Sequence, residues 1–244
     1  MAHRYYCPPQ NILPNAAALT LTGEEAAHLA RVMRVRPGEQ ITVFDGCGLR
    51  YACRVVSAAP EAVACEILSS GPGESEPGVA VTLYVGYPKT DKLEWIIQKA
   101  VELGAQRIVP FFSRYCVTTP KKEEQKNQRY RRIALEAAKQ AGRDRVPEVA
   151  MPLSFAEVLQ QLPGYDTALF CYEAQPGGPT LLSRLAGAGS VAIVTGPEGG
   201  FSPEEAAQAA CVSAPVSLGP RILRCETAPL AALAAVMTLT GNLE

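Results

Sequence analysis

From Val79 to Glu244 the chain alternates short, continuously apolar runs with amphipathic stretches, and this alternation limits the available folds more than any other feature. The runs Val79–Val85, Arg107–Phe112, Thr167–Tyr172, Val191–Thr195 and Val212–Leu218 read as strands. Leu93–Leu103, Glu123–Ala141, Ser154–Gln161, Pro203–Ala210 and Pro229–Leu239 read as helices. In the first helix, Leu93, Ile96, Ile97, Ala100 and Val101 recur at helical spacing and form one apolar face, and Gly104 supplies a C-cap. Apolar strands interleaved with helices predict an α/β domain whose mostly parallel sheet is covered on both faces. Ligands of such sheets bind beyond the carboxyl ends of the strands.

Residues 1–70 are patterned differently. Gln40–Phe44, Tyr51–Val56 and Ala62–Leu68 alternate apolar and polar residues, separated by turn sequences such as Arg36-Pro37-Gly38-Glu39 and Asp45-Gly46-Cys47-Gly48. One helix fits Gly23–Val32, with Thr22 as N-cap and Glu25 three residues on. This half reads as a small β-barrel-like domain. Six acidic residues balance its six basic ones, yet Arg31, Arg34 and Arg36 crowd one turn region. The stretch Ser69–Gly78 has no apolar side chain to anchor it, which places a linker at 71–78 and the second domain at 79–244.

With 48% hydrophobic and 19% charged residues, the chain is no disordered segment. The longest apolar stretch, Ala228–Leu239, is too short to span a bilayer, and the first residues lack the apolar core of a signal peptide. A cytoplasmic protein is expected. Of the eight cysteines no two are spaced C-x-x-C, and two histidines complete no zinc pattern, so neither a metal nor a disulfide framework is expected. Buried apolar cysteines are the simplest reading.

The loops after three strands share a composition. Glu173–Pro179 follows Tyr172, Gly196–Phe201 follows Thr195, and Gly219–Thr227 follows Leu218, each carrying Gly-Pro. They suggest one pocket built mainly from backbone, or simply three turns; glycine permits close approach of a ligand. Glu198 breaks the G-x-G-x-x-G pattern, and no P-loop or G-x-S-x-G elbow occurs. His3 and His28 both lie outside 79–244, which excludes a Ser/His pair within the larger domain. A pocket of amides and apolar side chains suits an adenosine-bearing small molecule. Arg114–Arg145 holds ten Lys/Arg and four Asp/Glu, a local +6 in a chain of net −1. That stretch is either a phosphate-contacting patch or a solvated helix face.

Two runs, Gly196-Pro-Glu-Gly-Gly-Phe-Ser-Pro-Glu-Glu205 and Leu218-Gly-Pro-Arg-Ile-Leu-Arg-Cys-Glu-Thr-Ala228, resemble the RsmE family, 16S ribosomal RNA uracil-N3 methyltransferases of the SPOUT class. Lys89–Gly104, Glu136–Arg143, Arg4-Tyr-Tyr6, Leu21–His28, Val32–Gly38 and Val43–Gly46 resemble that family too, in the same order along nearly the whole chain. The resemblance implies a SPOUT domain with a trefoil knot, a topology too rare to propose otherwise. It also implies a PUA-like RNA-binding domain in front, a homodimer, and S-adenosylmethionine as cofactor. The RNA partner would be 16S rRNA in the small ribosomal subunit. Cofactor contacts would come from Phe170, Thr195, Gly196, Pro197, Gly199, Gly200, Leu218, Gly219, Ile222, Leu223 and Thr227. RNA contacts would come from Arg4, His28, Arg31, Arg34, Arg129, Arg132 and Arg143, with His28 equally a packing residue. Cys225 stands where the family pattern has Thr, Pro229 where it has Ala or Thr, and Ala141 where it has Ser.

Uracil N3 carries a proton and is a poor nucleophile, whereas a sulfonium methyl is already activated. Positioning contributes roughly 7–11 kcal/mol to such a reaction, and a cation beside the developing anion adds to it. Arg224 is the first candidate for that cation and Arg221 the second. Glu226 either accepts the proton or orients one of these arginines; Glu198 reads as an acceptor for loop amides. A sister SPOUT ribose 2′-O-methyltransferase carries a Ser-Leu-Asn run that is absent here. A non-catalytic RNA-binding assembly factor is the alternative from another class.

Overall fold

The computed structural model describes residues 4–117, 121–172 and 184–243. Contacts divide the chain into two compact units, residues 1–76 with 138–146, and residues 77–137 with 147–244. The loop expected after Tyr172 falls outside the described residues, as does His3.

In the first unit, β1 (Arg4–Tyr6), β2 (Ile12–Leu13), β3 (Ala18–Thr22), β4 (Gln40–Phe44), β5 (Leu49–Ala58) and β6 (Ala62–Pro72) form one sheet in the order β1-β4-β5-β6-β3-β2. β1 runs parallel to β4 and the other pairings are antiparallel. Side chains on one face of these alternating strands, among them Leu19, Leu21, Val43, Cys53, Val55, Val63 and Cys65, close over Ala26 and Leu29. β1 and β2 are too short to show alternation and are legible only from their pairing, whereas β3 alternates, with Leu19 and Leu21 turned inward. The expected helix is present over its whole span but is of two kinds. α1 (Gly23–Ala27) gives way to a π-helical turn over His28–Met33. Thr22 makes no side-chain capping bond; the Glu25 carboxylate instead takes the Lys139 ammonium at 2.5 Å.

The expected linker begins as sheet, because β6 runs to Pro72 and the Gly73 amide donates to the Gly48 carbonyl at 2.9 Å. Glu76 then accepts from the amides of Asp144 and Arg145, at 3.0 Å each, and from the Arg143 guanidinium at 2.6 Å. Asp144, wholly buried, takes the guanidinium groups of Arg4 and Arg50. A Cβ at Gly73 would collide with the Asp144 carboxylate. Charge pairing between residues far apart in sequence, rather than apolar patterning, attaches 138–146 to this unit.

In the second unit, β7 (Ala80–Gly86), β8 (Arg107–Phe112), β10 (Leu153–Ser154), β11 (Thr167–Cys171), β12 (Ser190–Thr195) and β13 (Ala214–Val216) lie in the order β10-β8-β7-β12-β11-β13, with β9 (Glu148–Val149) beside β8. Every pairing is parallel, as expected. Val191–Thr195 is buried throughout, the burial expected of a strand covered on both faces. The helices are α2 (Thr90–Glu102), α3 (Glu123–Ala141), α4 (Phe155–Gln161), α5 (Pro203–Ala210) and α6 (Ala228–Leu239). The predicted face of α2 is fully buried, and Gly104 adopts φ +96° just after it. Ser154 and Ser202 close capping boxes with Glu157 and Glu205. β13 is shorter than expected because it is an edge strand and Pro215 has no N–H to give a ladder. Half of the cysteines meet the expectation of burial, Cys7, Cys53, Cys65 and Cys225, whereas Cys47 and Cys211 are exposed.

Candidate functional site

The carboxyl ends of β11 and β12 and the segment after β13 open onto one cleft of about 340 Å³. Its walls are Cys171 and Tyr172, the run Thr195–Phe201, the run Ile222–Cys225, Ala228, and Lys92 from α2. Two of the three grouped loops therefore do converge. The position agrees with the rule for open parallel sheets.

The first wall is shaped by backbone packed on backbone. β12 ends at buried Thr195, whose hydroxyl donates to the Tyr84 carbonyl at 3.5 Å. A Cβ at Gly86 would run into the Pro197 nitrogen, and one at Gly199 would lie 2.8 Å from the Tyr115 carbonyl oxygen. Gly200 has φ +68°, and its amide closes a turn on the Pro197 carbonyl at 3.0 Å. Phe201 anchors the end of the loop against Phe170, with ring centroids 4.6 Å apart, and against Phe155 and Phe111. The capping box at Ser202 then starts α5. The second wall follows Gly219, which has φ +101°. The Arg224 carbonyl accepts from the amides of Thr227 and Ala228 at 2.8 and 2.9 Å, turning the chain into α6. Pro229 sits in the first turn of that helix, where proline costs little.

An ion cluster borders the cleft, with Lys92 and Glu198 in its wall and Glu226 next to the lining residue Cys225. The Lys92 ammonium lies 3.2 Å from Glu198 and 3.1 Å from Glu226, and these three side chains are 23–29% exposed. Glu198 also accepts from the Lys89 amide at 3.3 Å, tying the glycine loop to the start of α2. The Cys225 thiol donates to Glu226 at 3.1 Å. Hydrogen bonds to Glu226 and Glu198 raise the Lys92 pKa, outweighing burial. Burial alone would push Glu226 up, but the Cys225 thiol, its own backbone and Lys92 hold it below the usual carboxylate range. Glu198 is lowered in the same way, with burial again opposing and the Lys89 amide and Lys92 prevailing. Burial, reinforced by Glu226, pushes the Cys225 thiol up to about 12, so it stays protonated and is no nucleophile.

Of the expected cofactor residues, Thr195, Gly196, Pro197, Gly199, Gly200, Ile222 and Leu223 line the cleft. Phe170 does not: it is buried beneath the loop, and its role is to support Phe201. Leu218, Gly219 and Thr227 flank the lining segments without entering them. Arg224 lines the cleft and Arg221 stands exposed outside it. Lys92 was missed because α2 reads as an ordinary packed helix. The available signal was a lysine one turn into that helix, within the run Lys89-Thr-Asp-Lys92.

The residues expected to contact RNA divide sharply. His28, Arg31 and Arg34 are exposed on the first unit. Arg129 is exposed and pairs with Glu94 at 2.7 Å, and Arg132 is exposed on the same helix. Arg143 is a correction: it is 3% exposed, and its guanidinium is spent on Glu76. Arg4 is corrected likewise, held by Asp144 and the Gly142 carbonyl. Both stabilise the first unit rather than present charge to a ligand. Among the described residues no cluster of His, Cys, Asp and Glu is placed to hold a metal ion, and no helix is long and apolar enough to cross a membrane.

Residues 75–237 match an RNA methyltransferase domain model and residues 21–68 an RNA methyltransferase PUA domain model. The Bacillus subtilis ribosomal RNA small subunit methyltransferase E is 36% identical, over 92% of this chain and 91% of its own length. The chain belongs to that family. The Synechocystis enzyme of the same name is 32% identical over 98% of this chain and 78% of its own. The crystal structure of the Neisseria gonorrhoeae member bound to S-adenosyl methionine superposes with a TM-score of 0.88, at 33% identity and 98% coverage of both chains. The Thermotoga maritima predicted RNA methyltransferase shares the fold, with a TM-score of 0.71.

Proposed function

We propose that the protein transfers a methyl group from S-adenosylmethionine to N3 of a uridine in the 16S rRNA of the small ribosomal subunit, in the cytoplasm and as a homodimer. One observation carries the reading: in a chain of this family, the two Gly-Pro segments converge on one cleft at the sheet's carboxyl edge. The cleft fits the cofactor. Its volume is that of a small-molecule pocket, and its walls are backbone amides and carbonyls with apolar cover from Ile222 and Leu223. Ile222 is 81% exposed, an apolar side chain left for a ligand to cover. Thr195–Gly200 and Ile222–Leu223 would hold the cofactor, which supplies the activated methyl.

The chain's own residues act on the uracil. Arg224, exposed in the cleft wall, stabilises the anion that forms as N3 gives its proton to solvent water at the open cleft. Glu226 does not suit the part of base. Its carboxylate is held ionised by Lys92 and Cys225, which makes it a weak proton acceptor. We assign it, with Glu198, to fixing Lys92 in the cleft wall. Along α6, Leu230, Ala231, Ala234 and Ala235 form a half-buried stripe of mostly small side chains, suited to close packing on a second copy. The family reading also brings a trefoil knot formed by the C-terminal part of the domain.

The test is methyl transfer from labelled S-adenosylmethionine to small subunits lacking the modification, followed by nucleoside mass spectrometry. N3-methyluridine is expected. A ribose-methylated product would assign the chain to the sister 2′-O reaction, and no product at all would favour a non-catalytic assembly factor.

A further inference from the structure

A second cleft, of about 310 Å³, lies wholly within the first unit, and none of the residues that line it has been given a role above. Buried Tyr5 and Leu29 form its floor, Val35 and Ile41 line it half-buried, and Met33, Glu39, Gln40 and Ala52 stand exposed around it. Thr42 completes the lining. The chain bordering the cleft is irregular. The π-helical turn His28–Met33 carries two lining residues, and the next residue, Arg34, is left-handed at φ +53° although it is not glycine. π-turns and left-handed non-glycine residues gather at functional positions. The Val35 amide returns to the Leu29 carbonyl at 3.1 Å and fixes this shape.

Charge accompanies the cavity. Arg34 stands between lining residues Met33 and Val35, Arg36 follows Val35, and Arg31 lies within the π-turn. All three are exposed, and none forms an ion pair among the described residues. A slot lined by apolar side chains and a tyrosine, flanked by cations, has the composition of a site for one base of a single strand. The base stacks on apolar surface while the arginines take the phosphates on either side. Glu39, Gln40 and Thr42 offer donors and acceptors to the edge of the base. We propose that this cleft receives one unstacked nucleobase of single-stranded RNA, with Arg31, Arg34 and Arg36 on the flanking phosphates. The proposal rests on the reading of the chain as an rRNA methyltransferase and adds a specific subsite to it.

The test uses the full-length protein and two ribo-heptamers, one whose single base is a central 2-aminopurine between abasic nucleotides and one abasic throughout. Ala52→Trp fills the cleft from an exposed position, and Gln40→Trp does so independently. Each variant is expected to bind the base-bearing heptamer about tenfold more weakly, in line with the loss of one stacked base. Binding of the abasic heptamer and of S-adenosylhomocysteine should not change. Equal loss on both heptamers, no loss on either, or no heptamer binding by the wild type at low salt would each overturn the proposal. Cofactor binding and methyl transfer would still report separately on the enzymatic reading.

Discussion

Two clusters of cations and carboxylates in this molecule are built from the same chemistry and do different things. In the first unit, Arg4 and Arg50 meet Asp144, and Arg143 meets Glu76; Asp144 and Arg143 are buried. In the cleft of the second unit, Lys92 meets Glu198 and Glu226, with about a quarter of each side chain open to solvent. The first cluster pairs its charges inside the protein, with only the Arg4 Nε left without a hydrogen-bond partner, and fastens residues 138–146 to a sheet. The second faces a cavity, where its charges remain available to a ligand. What separates the structural network from the site is a fully enclosed member on each side of it, Asp144 at 0% and Arg143 at 4% side-chain exposure, which the cleft cluster lacks.

The largest effect should come from breaking the buried cluster. Asp144→Ala leaves the Arg4 guanidinium, only 15% exposed, without its carboxylate and is expected to cost about 3 kcal/mol in chemical denaturation, the low end of the penalty for orphaning a buried charge, because Arg50, 35% exposed, can turn to solvent. Next is Arg224→Ala, which should leave the denaturation midpoint unchanged. It should lower kcat for small-subunit methylation by about 10²–10³, the range for losing one donor to a developing anion. A midpoint shift comparable to that of Asp144→Ala would move Arg224 into the structural class.

Lys92→Met sharpens the comparison through pH. Glu226 and Glu198 have pKa values lowered in the folded state, so their contribution to stability is complete above the ordinary carboxylate pKa and is lost as pH falls through the lowered values. The stability gap between wild type and Lys92→Met should therefore be widest near neutrality and close in acid, in paired urea titrations. A gap independent of pH would mean that Lys92 contributes by packing alone. The smallest effect is expected at the exposed pair Arg54–Glu66, 3.1 Å apart, where Arg54→Ala should cost less than about 1 kcal/mol.

Much of this was legible in the sequence where the signal is local. The apolar face of α2, the stop at Gly104, the parallel sheet and the two converging Gly-Pro segments all follow from spacing and composition within short windows. What stayed hidden depends on partners far along the chain. Arg143 and Arg4 look like surface charges until Glu76 and Asp144, 67 and 140 residues away, are placed beside them. Lys92 looks like a solvated helix residue until the loop carrying Glu198 arrives. The π-turn at His28–Met33 follows a sequence that would serve an ordinary helix.

The most direct measurement is calorimetric titration of S-adenosylmethionine into the wild type and into Ile222→Asp. Ile222 is exposed, so its replacement should leave the fold intact while removing apolar cover from the cleft. Micromolar binding by the wild type, weakened about tenfold or more in the variant, is the predicted result, since burying such a side chain contributes about 1.5–3 kcal/mol. Equal affinity in both proteins, or no binding by the wild type, would contradict the placement of the cofactor in this cleft.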